Sequence, residues 1–165
     1  MTCLIVVEGV TDKSVVQEIA GMIGVKVKVL IARGNRPRKM AQLINAEPSE
    51  KYSKAIILKD QHRLSENKVN ELLSRAIKEV KHPRKYSVMV KKSIESWILA
   101  GMGIRNAENI DDPETYLDNV MASQGRRYIK SAGFVKNIMK RNFNLEQAIR
   151  NSQTLKYFIN VLRDP

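Results

Sequence analysis

One cysteine, two histidines and an aromatic content of 5% each remove a class of protein. A lone thiol, Cys3, cannot close an intramolecular disulfide, so a disulfide-stapled scaffold is excluded and a buried, reduced thiol in a cytoplasmic protein is expected. Two histidines and one cysteine are too few for a structural zinc site of the usual composition. The shortage of aromatic rings argues against a base-stacking platform. No apolar run approaches the roughly 18 residues that span a bilayer, and no basic stretch leads into a long apolar segment, so neither secretion nor a membrane partner is expected. There is no Gly-x-x-x-x-Gly-Lys-Ser/Thr loop for a nucleoside triphosphate. Gly101 and Gly103 follow a helical pattern, the wrong context for a dinucleotide fingerprint. No repeat and no Gly-, Ser- or Pro-rich linker divides the 165 residues, a length suited to one compact unit with a real core.

What the chain has in excess is positive charge. Lys and Arg number 29 against 17 Asp and Glu, a net charge of +12, which makes a polyanion the default partner. The charge is segregated. "RGNRPRK" holds Arg33, Arg36, Arg38 and Lys39 without an acid. "KEVKHPRKYSVMVKK" includes Arg84, Lys85, Lys91 and Lys92 against the single Glu79. "GRRYIKSAGFVKNIMKRN" begins with Arg126 and Arg127 and has no acid, whereas "ENIDDPETYLD" has no base. Blocks of one sign serve as solvated faces or as a directed binding face for nucleic acid, DNA or RNA.

The first half alternates short β-branched runs ("CLIVVE", "KVKVLIA", "KAIILKD", "YSVMVK") with segments of helical spacing ("TDKSVVQEIAGMIG", "RPRKMAQLINAE", "SENKVNELLSRAIKEV"). The pattern predicts β-α-β-α-β-α-β: an α/β core over 1–92, with a parallel four-stranded, Rossmann-like sheet flanked by helices. Thr11 and Ser65 are placed as N-caps. From Ser93 the spacing is helical throughout, in "SIESWILAGMG", "PETYLDNVMAS", "RRYIKSAGFVKNIMKR" and "NLEQAIRNSQTLKYFINVLR". A helical extension over 93–165, packed on the core, is expected.

In an open parallel sheet ligands sit beyond the carboxyl ends of the strands. Glu8 ends the first strand and Asp60 the third. With strand order 2-1-3-4 the two meet at one crevice, where Gly9 permits a sharp turn and Asp12 lies at the positive end of the first helix. A pair of carboxylates about 4 Å apart repels by roughly 4 kcal/mol at an effective dielectric of 20, so a cluster requires a cation or a proton. Mg²⁺ suits such oxygen ligands together with a phosphate. Each acid alone also fits a solvated loop position, and Asp12 a first-turn helix acid.

These residues carry a resemblance. "VVEGVTDKSVV" followed by "AIILKDQH", with "SIESWILAG" and "SQTLKYFINVL" later, resembles the Toprim fold of topoisomerases and primases, nearest to small stand-alone Toprim proteins and overcoming-lysogenization-defect nucleases. The resemblance implies Mg²⁺ or Mn²⁺ held by Asp60 and Asp12, with Glu8 as general acid or base in phosphodiester chemistry. His62 stands where the family's second Asp is expected. Imidazole suits Mn²⁺ better than Mg²⁺, and His62 also fits a general acid or an exposed loop residue. Glu95, behind Ser93 as an N-cap, fits a first-turn acid and also a further metal ligand. Lys59 fits a phosphate contact or a solvated lysine. The reading is a nucleic-acid-binding Toprim protein with divalent-metal-dependent nuclease activity. The alternative is a non-catalytic DNA- or RNA-binding adaptor with a degenerate site, in a processing or repair complex. A phosphoacceptor receiver is a third and weaker fit, because "VMVKKSIE" matches a receiver's later strand end imperfectly.

Overall fold

Four β-branched runs pair side by side as one parallel sheet in the computed structural model, which describes residues 1–34 and 36–165; Asn35 of the first basic block lies outside the described residues. The strands are β1 (Thr2–Val7), β2 (Val27–Ile31), β3 (Tyr52–Asp60) and β4 (Lys85–Val90). Their order is β2-β1-β3-β4 and every pair is parallel. The crossovers are α1 (Val10–Ile23), α2 (Pro37–Asn45) and α3 (Glu66–Glu79). The chain is therefore α/β with the expected Rossmann-like order.

Strand side chains alternate between faces, and the two faces have different companions. Cys3, Ile5 and Val7 pack with Val15, Val16 and Ile19 of α1, while Leu4 and Val6 pack with Met40 and Ile44 of α2 and with Val69 and Leu73 of α3. Both faces are covered, which is why the strands read as continuous apolar runs. Burial pushes the Cys3 thiol up to about 12, against the weaker opposing charges of Lys54 and Arg84. The thiol is inert.

Beyond β4 the chain forms α4 (Glu95–Gly101), α5 (Pro113–Ser123), α6 (Ala132–Arg141), α7 (Leu145–Asn151) and α8 (Gln153–Arg163). Trp97, Leu117, Ile138 and Phe158 join the same apolar cluster as Ile5 and Val88. The helices thus thicken the α1 side of the sheet. Trp97 stacks on Phe158 with centroids 5.2 Å apart and donates its indole N–H to Thr154 Oγ1 at 2.9 Å. Gly101 must lack a side chain, because a Cβ there would collide with the Phe143 ring.

Local chemistry corrects several sequence boundaries. Residue 9, not Thr11, caps α1, and Thr11 lies within the helix; Gly9 is extended (φ −156°, ψ 179°), so no sharp turn demands a glycine there. Ser65 does cap α3, accepting from the Lys68 N–H. Ser93 does not cap α4; its Oγ is buried without a partner and Ile94 occupies the cap position. The stretch 126–141 is helical only from Ala132, where Ser131 accepts from the Phe134 N–H. The last expected helix is two, divided at Ser152, whose Oγ accepts from the Leu155 N–H.

The start of α8 is also held by Glu108. Its carboxylate accepts from the Gln153 N–H (2.8 Å), the Thr154 N–H (3.2 Å), Thr154 Oγ1 (2.6 Å) and Ser152 Oγ (3.1 Å). Charge-assisted bonds at a helix N-terminus are stronger than neutral ones. Glu108→Gln keeps the shape and loses the charge, so it is expected to lower stability by about 1–2 kcal/mol in urea unfolding. At the other end of α8 the buried Lys54 ammonium donates to the carbonyls of Val161, at 2.7 Å, and Asp164, a cation where the helix dipole is negative.

Candidate functional site

The carboxyl ends of β1, β3 and β4 open on one pit of about 400 Å³, with Glu8, Asp12, Asp60 and Glu95 in its wall. Four chain segments deliver these acids. Glu8 follows β1, Asp12 comes from the first turn of α1, Asp60 ends β3 and Glu95 begins α4. All five candidates for catalysis or metal binding, His62 included, line this pit.

Burial makes the arrangement costly. Asp12, Asp60 and Glu95 are 8%, 5% and 2% exposed. Asp60 Oδ2 accepts from the Ile94 N–H at 3.2 Å, while Oδ1 is buried and meets no donor. Desolvation, then the charges of Glu8 and Glu95, push Asp12 up to about 7. Desolvation and the charges of Asp12, Glu8 and Glu95 likewise hold Asp60 well above the usual carboxylate range, against the Ile94 N–H.

Glu8 is held in the opposite state. Burial opposes its ionisation, but the His62 hydrogen bond, the charges of Lys59 and His62 and the Asp60 N–H together hold its pKa below the ordinary 4.5. Its Oε1 accepts from the Asp60 N–H at 2.7 Å and lies 3.5 Å from Lys59 Nζ, and its Oε2 lies 3.1 Å from His62 Nε2. Lys59 is 1% exposed. This corrects the expectation that it is a solvated or phosphate-contacting lysine: its ammonium is the buried counter-charge of Glu8.

Two further contacts involve residues of the pit. Tyr128 donates its hydroxyl to Glu95 Oε2 at 2.9 Å, and burial and the Glu95 charge raise the phenol's pKa, so it remains a donor. Lys130 Nζ lies 2.8 Å from Glu114 Oε2, and both line the pit. With Glu8 engaged by Lys59 and His62, and Glu95 by Tyr128, no three His, Cys, Asp or Glu side chains among the described residues stand ready to hold a metal ion in their present positions.

The backbone at the rim is strained. His62 (φ 52°) and Lys92 (φ 65°) are left-handed, at about 1–2 kcal/mol each. Crossed bonds hold them there: the His62 N–H donates to the Lys92 carbonyl at 2.7 Å, and the Lys92 N–H to Gln61 Oε1 at 3.0 Å. Strain of this kind gathers at functional sites.

The basic candidates do not form one patch. Arg33, Arg36, Arg38 and Lys39 are exposed beyond the carboxyl end of β2, with Arg38 3.6 Å from Glu79. Lys91 and Lys92 follow β4 and pair with Glu66 (3.4 Å) and Asp111 (3.6 Å). Arg84 and Lys85 lie at the amino end of β4, away from the pit. Arg84 binds Asp164 and Lys85 binds the Val80 carbonyl, a correction to their placement on a shared binding face. Arg126 lies 5.2 Å from the Phe134 ring centre, and Arg127 pairs with Asp118 at 3.2 Å.

Sequence spacing alone does not reveal Glu114 and Lys130 as pit residues, or Tyr128 as the partner of Glu95. Tyr128 and Lys130 sit in the stretch whose helical spacing extends too early; Ser131, an N-cap residue type, is the signal that a helix begins there. No family model, curated protein or solved structure matches the chain, and its own residues carry the functional reading.

Proposed function

We propose that the chain is a Toprim-like nucleic-acid-binding protein that hydrolyses phosphodiester bonds with a divalent metal. The observation that carries this reading is the convergence of four carboxylates from four segments, one of which, Asp60, keeps a buried oxygen without a donor. An all-oxygen donor set with surplus negative charge fits a hard divalent cation. Asp12, Asp60 and Glu95 would hold Mg²⁺ or Mn²⁺, which when bound supplies Lewis-acid polarisation of a phosphoryl oxygen. Glu8, ionised at neutral pH and aimed by its three partners, accepts a proton from an attacking water. His62, spent through Nε2 on Glu8, orients that carboxylate. The net charge of +12 favours a polyanionic partner.

The test is cleavage of labelled DNA and RNA oligonucleotides with Mg²⁺ or Mn²⁺. Glu8→Gln is expected to slow cleavage about 100-fold or more with oligonucleotide affinity unchanged. The second reading, a binder without cleavage, draws on the engagement of Glu8 by Lys59 and His62; it predicts retained affinity and no cleavage with either metal. Absence of both affinity and cleavage overturns both readings.

A further inference from the structure

A second constellation lies outside the pit. Arg105, in the turn after α4, and Arg150, near the end of α7, face two adjoining hollows of about 570 and 290 Å³ that share both arginines. Both are exposed. Among the described residues neither lies within ion-pairing distance of an acid. The smaller hollow also holds Lys91, Asn106 and Asn109, so its wall is rich in donors. Its one acid is Glu108, and both oxygens of that carboxylate are already bound at the start of α8. Two guanidinium groups without a carboxylate, beside an acid occupied elsewhere, make a site for an anion with several oxygens.

The hollows connect to the pit through the segment after β4. Lys91 lines the smaller hollow; the next residue, Lys92, lines a groove of about 700 Å³ with Arg63 and His62. That groove shares His62, Ser93 and Glu114 with the pit. Along this route Arg63 carries a charge without an ion-pair partner among the described residues, while Lys91 and Lys92 are paired with Glu66 and Asp111. Asp111 and Asp112 also line the groove, but Asp111 pairs with Lys92 and Asp112 caps α5. We infer that Arg105 and Arg150 clamp a phosphate of the same nucleic-acid strand whose reacting phosphate lies at the pit. This clamp rests on the nucleic-acid reading above and gives it a direction: the bound strand leaves the pit across the end of β4.

The test measures fluorescence anisotropy with single-stranded DNA and RNA from about 2 to about 16 nucleotides, comparing the native chain with Arg105→Gln/Arg150→Gln. The double variant is expected to bind the longer strands about 10–100-fold more weakly and the dinucleotide as before. Its slope of log affinity against log salt on long strands should fall by about 0.7, the share of the one phosphate that the variant no longer neutralises. Arg105→Lys/Arg150→Lys should keep most of that slope while binding less tightly, because the charge stays and the fork does not. Unchanged melting temperatures establish that the variants fold. Native affinity and slope in the glutamine variant, with cleavage by the native chain intact, overturn the clamp and leave the function standing; so does a weakening equal at every strand length. A native chain that binds no strand of any length overturns both.

Discussion

Asp60→Asn is expected to melt higher than the native chain at pH 8 and to cleave nothing. Asp12 and Asp60 hold their protons more tightly folded than unfolded. The stability they confer is complete below the ordinary carboxylate pKa of 3.8 and lost as pH climbs through about 7. A rise from 3.8 to about 7 at Asp12 corresponds to about 4 kcal/mol. Because the two carboxyls share that repulsion, relief by one substitution is on the order of 2–4 kcal/mol, or roughly 5–15 °C in a chain of this size. Asparagine also replaces the charge at a position where the buried Oδ1 meets no donor. The gain should vanish at pH 4, where Asp12 and Asp60 of the native chain carry their protons. Mn²⁺ should raise the melting temperature of the native chain at pH 8 and leave the variant unmoved. A variant that melts lower than the native chain at pH 8 would mean that the acids are not in mutual repulsion. Stability surrendered for a charged pit is the familiar trade of a site built for binding.

Lys59→Met is expected to act in the other direction. Lys59 and Glu8 form a buried ion pair at 3.5 Å, and removing one partner leaves a charge in a low-dielectric site. The His62 contact and the Asp60 N–H still serve Glu8, so the expected loss is about 3 kcal/mol, the lower end for a broken buried pair. The Glu8 pKa should rise, moving the acid limb of any cleavage profile to higher pH. Adding Glu8→Gln should restore most of the lost stability, since the stranded charge is then gone. Urea unfolding of the three variants decides it: a single variant within about 0.5 kcal/mol of the native chain would show the pair to be idle.

The fold was legible because both faces of its strands are buried. "CLIVV" and "AIIL" are apolar without interruption, and only a sheet covered on both sides has use for such runs. The pit acids were legible from their position at strand ends, and the strand order 2-1-3-4 that brings Glu8 and Asp60 to one crevice is the observed one. The counter-charges were not. Lys59 looks like any lysine beside a loop, and only the three-dimensional closeness of β1 and β3 turns it inward to Glu8. Lys130 reaches the pit, and Tyr128 its acid Glu95, from a segment outside any helix because Ser131 starts α6 late and Asp118 accepts from the Tyr128 N–H. Arg105 and Arg150 belong to no basic block at all. Charge counted along the chain favoured Arg84 and Lys85, which structural bonds at the far end of β4 consume.

β3 carries charges at both ends, and their parity matters. Lys54 and Asp60 point to the α1 and α8 side while Lys59 points to the other, and all three are buried. Sliding β3 by one residue against β1 would bring Lys59 toward Asp12, take Asp60 into the aliphatic layer under α3 and strand the Lys54 ammonium away from the end of α8. Every off-by-one alignment therefore costs several buried charges at once, whereas the all-aliphatic middle of the strand would tolerate it. The residues that make the pit also act as the key that admits a single threading of the central strand.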